Sequence, residues 1–146
     1  MEDGNLEWFG GDENALKMYR SLIFLAHAWD DLVDKDKDLS EQTINQAFMT
    51  ALVWLPTNPF YRAIQDSVFP MWVVVVSSYE VANRFERDKD AHGLEIAHGL
   101  RYAAGNIIAY AMHVCLGDKA RDYLPEMWKN VFFERFDDYR QEHLKC

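Results

Sequence analysis

Cysteine is nearly absent from this chain. Cys115 and Cys146 are the only two, one inside a helical pattern and the other the last residue. That excludes a disulfide framework, and both read as free thiols of a reducing compartment. Basic residues are also scarce, 15 Lys and Arg against 24 Asp and Glu, for a net charge of −9. Nucleic-acid binding depends on Lys and Arg neutralising phosphates, so no nucleic-acid partner is expected, and docking on an anionic membrane is disfavoured for the same reason. The longest apolar run, Met71 to Val76, is far too short for a bilayer span. The opening Met-Glu-Asp-Gly-Asn lacks the basic start of a signal peptide. The expectation is a cytoplasmic protein.

What is abundant is apolar and aromatic. Hydrophobic residues make up 49% of the 146, with five Trp, seven Tyr and nine Phe, enough for one domain with a real core. Five segments carry helical signals, and nothing reads as a strand. Asp12 is placed to cap a first helix over about 13–33, with Trp8 and Phe9 available to pack at its start. Ser40 caps a second, whose stripe is Ile44, Ala47, Phe48, Ala51, Leu52 and Leu55, and Pro56 stops it. Asn58-Pro59 starts a third. Pro70 breaks or kinks it, and Met71, Val75, Ser78, Ala82 and Phe85 keep helical spacing beyond. Asp90 caps a fourth that runs to Leu116, where Gly117 ends it. A fifth spans about 125–144. The expected fold is all-α, a single-domain bundle of about five helices over residues 1–146, and bundles build sites from side chains on facing helices.

The end of the first helix concentrates charge of one sign. Asp30, Asp31 and Asp34 crowd its last turn, where the helix dipole is already negative. At 3.6 residues per turn, Asp30 and Asp34 continue the sector of Leu16, Tyr19 and Ile23, with His27 at its edge and Asp31 further round. Carboxylates on an apolar stripe need a partner or a metal, and their oxygens suit a hard ion such as Mg²⁺ or Mn²⁺. A solvated helix end, offset by Lys35 and Lys37, is the plainer alternative. On the third helix Glu80 and Asn83 are three apart and offer oxygen ligands for an opposing wall; an ordinary solvated face explains them equally. Arg101 sits among Leu100, Ala103 and Ala104, a setting in which a guanidinium requires a phosphate or a carboxylate such as Glu95 or Asp30. Asp34-Lys-Asp36-Lys-Asp38 opens like a calcium loop but has Leu39 and Asn45 where Gly and Glu are required. No paired zinc spacing, phosphate-binding glycine loop or nucleophile elbow is present.

Residues Phe24 to Asp34, F-L-A-H-A-W-D-D-L-V-D, resemble the first aspartate-rich motif of the class I isoprenoid synthases. Those all-α enzymes bind Mg²⁺ through D-D-x-x-D, and the ion holds a prenyl diphosphate. The resemblance implies metal ligation by Asp30, Asp31 and Asp34, with Arg101 as a phosphate contact. The second motif of that family is absent, and Glu80 and Asn83 are its loose substitute. Size and helical architecture are also similar to those of the all-α NTP pyrophosphatases. The segments Trp29–Asp36 (W-D-D-L-x-D-K-D) and Leu55–Tyr61 (L-P-x-N-P-F-Y) look like those of short phage and prophage proteins, a likeness that brings no activity with it. The resulting expectation is a Mg²⁺-binding protein that hydrolyses or binds a small diphosphate, with His27 the available general base. The alternative is a non-enzymatic helical interaction protein whose acidic cluster is structural. The aromatic-rich composition is compatible with a homodimer under either.

Overall fold

The computed structural model describes residues 5–34 and 38–144, so Lys35, Asp36, Lys37 and Cys146 lie outside the described residues. The chain is all-α, with no strand among the described residues. Helix α1 is Glu13–Asp34; Asp12 Oδ1 accepts from the Asn14 and Ala15 amides at 2.9 and 3.0 Å. Helix α2 is Glu41–Met49, capped by Ser40. It continues through a π-helical turn, Thr50–Trp54, and a last turn, Leu55–Thr57. Asn58 Oδ1 then accepts from the Phe60 and Tyr61 amides and starts α3, Pro59–Asp88. Pro70 does not interrupt α3; it lies on the exposed side, where its ring displaces no packed neighbour.

The expected fourth and fifth helices are each divided. Asp90 caps α4, Ala91–Leu100, and α5 is Gly105–Leu116, ended by Gly117 at φ 61°. Between them the chain tightens into short-range bonds, Tyr102 N to Gly99 O and Gly105 N to Tyr102 O among them. Two side chains account for this. Arg101 is drawn to acceptors on α3, and Gly105 receives the Trp128 ring where a Cβ would stand 2.5 Å from an indole carbon. The last stretch splits into α6, Leu124–Val131, and α7, Phe136–Leu144. In the break Phe132 packs on Tyr102 (ring centroids 4.2 Å), and the Glu134 carbonyl accepts from His98 Nε2 at 2.9 Å. Tertiary contacts override local helical preference at both points.

The main core joins α1, α3, α5 and α6, with Trp8 and Phe9 sealed under the start of α1 against Tyr19. A smaller cluster, Ala82, Leu94, Ala97 and Tyr139, ties α3, α4 and α7 together. Two apolar faces remain in water. On α2, Phe48 is 62% and Leu52 70% exposed, so of the expected stripe only Leu55 is buried. On α3 the inward side is Ile64, Val68, Val75, Tyr79 and Ala82, which leaves Val73, Val74 and Val81 outside. Cys115 is a free thiol, pushed up to about 11 by burial, which keeps it protonated and inert at neutral pH. Among the described residues no helix is long and apolar enough to cross a membrane.

Candidate functional site

The end of α1, the middle of α3, the 101–104 turn and the α6–α7 junction meet around a cavity of about 210 Å³. Its floor is apolar, built from Leu22, Ile23, Ile108 and Val131. Five carboxylates line it, Asp30, Asp31, Asp34, Glu134 and Glu142, together with the single cation Arg101. The helix phase of α1 brings Asp30 and Asp34 here as a continuation of its apolar stripe, and Asp31, further round, lines the cavity as well.

Arg101 is the hub. Only 8% of the residue is exposed. Its guanidinium forks onto Glu86, with Nε donating to Oε2 at 2.8 Å and Nη2 donating to Oε1. Nη2 also donates to Asn83 Oδ1 at 2.5 Å. Asp34 lies 3.8 Å from Nη2 and Asp30 3.9 Å from Nη1, close enough for charge but beyond a hydrogen bond, and Nη1 has no hydrogen-bond partner among the described residues. Below it is the Tyr79 ring, 4.7 Å from the guanidinium carbon. Trp29 stacks on that ring at 4.0 Å and 10°, and with one face taken by the indole the guanidinium must cover the other. Glu86 in turn accepts from Tyr139 Oη at 2.5 Å, and His143 Nε2 stands 3.8 Å away.

The electrostatics follow from burial. Burial works against the charged form of Arg101, but the hydrogen bonds and charge of Glu86 outweigh it and raise its basicity. Asp30 is held above the ordinary carboxylate range: burial raises it, Arg101 opposes, and the Glu86 charge adds to the rise. At 3.9 Å the guanidinium is too distant to cancel the loss of water. Glu134 is pushed up to about 7 by burial, then by the charge and hydrogen bonding of Glu142 and by Asp30 and Asp138. Burial likewise raises Tyr79, and it moves Tyr102 up to about 12 against hydrogen bonding with the Glu134 main chain.

The expected site residues therefore divide. Asp30, Asp31, Asp34, Arg101 and His27 share the cavity, with exposed His27 edge-on to Phe133 at 4.7 Å. Asn83 is present as an acceptor for Arg101, whereas Glu80 is exposed and does not line the cavity. The acid that pairs with Arg101 is Glu86, while Glu95 is exposed on α4. Among the described residues, no three His, Cys, Asp or Glu side chains are grouped to hold a metal ion, and the counter-charge to Asp30 and Asp34 is the guanidinium itself. Sequence reading missed Glu86, Tyr79, Glu134, Glu142, Tyr139 and His143. For the first two a cue existed, since Tyr79, Ala82, Asn83 and Glu86 extend the helical spacing of Val68 and Val75. No protein-family model, curated protein or solved structure matches this chain.

Proposed function

We propose that the cavity binds a small organic cation, an ammonium group on an apolar body, and that the protein acts through this binding. One observation carries the reading: a mainly apolar cavity is lined by five carboxylates against one cation, and that cation is already matched by Glu86. One guanidinium shared among Glu86, Asp30 and Asp34 leaves an excess of acid at the cavity, and such an excess in partly desolvated surroundings favours a positive ligand. The apolar floor gives the rest of the molecule a place to bury surface. Asp31 at the end of α1 and Glu134 on the α6–α7 junction both line the cavity outside the ion pairs of Arg101, and they are the carboxylates assigned to the ammonium.

A second reading keeps Mg²⁺ or Mn²⁺, bridging the aspartates to a diphosphate. It is favoured by the shared cavity of Asp30, Asp31 and Asp34. It also requires carboxylates to draw together around the ion, because the present arrangement does not group three of them. Thermal unfolding separates the two. A ligand at a hundred times its Kd adds about 2.7 kcal/mol, which for 146 residues is roughly 9 °C. Benzylamine should produce a rise of this order, lost in Asp31→Asn. A rise with Mg²⁺ plus pyrophosphate and none with amines would move the assignment to the second reading. No rise with either would refute both.

A further inference from the structure

We infer that the outward face of α3 is a self-association surface, on which a second copy of this chain packs its own α3 antiparallel. A surface helix normally turns polar residues to water. Here the outward face carries five exposed apolar side chains, Phe69 69% exposed, Val73 58%, Val74 61%, Val76 43% and Val81 42%, with only Ser77 and Glu80 as exposed polar residues between Val73 and Val81 in the same sector. Together they leave on the order of 450 Å² in water, the size of patch that marks an interaction site on a monomer. A standard interface takes roughly 800 Å² from each partner, a little over half of it apolar. The apolar patch matches the apolar share of such an interface, and the charged residues at its flanks are placed to supply the polar rim.

The flanks identify the occupant. Asp66 and Arg84 are exposed at opposite ends of the patch. They are eighteen residues apart, five full helical turns, so they point the same way about 27 Å from each other. Residue 75 is their midpoint. When two copies of α3 cross antiparallel at that level, Asp66 faces the partner's Arg84, and the pair occurs twice by symmetry. The same register sets Phe69 against Val81 of the partner subunit and Arg62 against the partner's Asp88. A parallel pairing would instead align Asp66 with Asp66 and Arg84 with Arg84. The sign pattern thus selects a two-fold arrangement at a shallow crossing angle, about 20°. The face lies away from the cavity, whose only residue on α3 is Tyr79.

Sedimentation equilibrium of the full chain up to about 100 µM tests this. The expected mass is twice the 17.1 kDa of one chain. Val73→Glu, at a solvent-facing position that leaves the fold intact, should give monomer with an unchanged melting profile at low concentration. Asp66→Arg and Arg84→Asp should each weaken the dimer by about tenfold or more, and the double variant should restore it. A monomer throughout would overturn the proposal. So would a dimer indifferent to Val73→Glu, one dissociated by Leu52→Glu on α2 instead, or a double variant that fails to restore association.

Discussion

Replacing Arg101 with Met removes the hub charge while keeping most of the side-chain volume. The loss is set by what remains. Glu86, with 9% of its side chain exposed, loses its bidentate partner, and Asp30 and Asp34 lose the only nearby cation among the described residues. Removing one partner of a buried ion pair costs about 3–5 kcal/mol. The Tyr139 hydroxyl, still bonded to Glu86, holds the value to the lower half of that range. With an unfolding entropy of about 2.1 cal/mol/K per residue, roughly 0.3 kcal/mol/K for 146 residues, Tm should fall by about 10–13 °C. The fall should depend on pH. Without the cation, Asp30, which burial already holds above its unfolded value, loses the one charge that opposes the rise and is raised further. The deficit is then largest near about pH 8 and shrinks as acid protonates Asp30 towards about pH 5. Arg101→Lys keeps the charge but loses the fork, and should fall between the two. Calorimetry of the three proteins at both pH values is the assay. A drop below about 3 °C, or the same deficit at both pH values, would refute the account of Arg101 as the counter-ion on which this end of the bundle depends.

Three further outcomes are expected. Glu134, pushed up to about 7, favours the folded state most fully below the unfolded value of 4.5, and that contribution is lost as pH rises towards 7. Glu134→Gln should therefore melt slightly higher than wild type at about pH 8 and equally at about pH 4.5, a gain held to a few degrees by the carboxyl's remaining contact with water. Gly105→Ala places a Cβ 2.5 Å from the Trp128 ring and should cost about 1–3 kcal/mol. Gly99→Ala, with nothing within 4 Å, should stabilise α4 by up to about 1 kcal/mol. If both glycine variants melt alike, close approach of the indole does not explain the first.

The helices were readable because their punctuation is chemical. Asp12, Ser40, Asn58 and Asp90 each accept the main-chain bonds their side chains are built to accept. Asp30 and Asp34 were readable from phase, and Arg101 from its apolar setting. Glu80 stands three residues before Asn83, and Glu86 stands three after it. Only the direction of the packed face, set by Tyr79 and Ala82, decides between them. Glu134, Glu142, Tyr139 and His143 were hidden by the break at 132–135, which no proline or glycine announces and which comes from aromatic packing on α4. The stripe on α2 was legible as apolar, but its exposure depends on what α2 faces, and periodicity alone does not contain that.

The cavity also says something about timing. Its contacts join residues far apart in the chain: Arg101 to Glu86 spans 15 positions, Tyr79 to Asp30 spans 49 and Tyr139 to Glu86 spans 53. Contacts of the last two kinds form only after long loops have closed. The Arg101–Glu86 pair needs only a short closure between α3 and the turn after α4, whereas Glu134 and Glu142 reach the cavity only when the α6–α7 segment folds back over the end of α1.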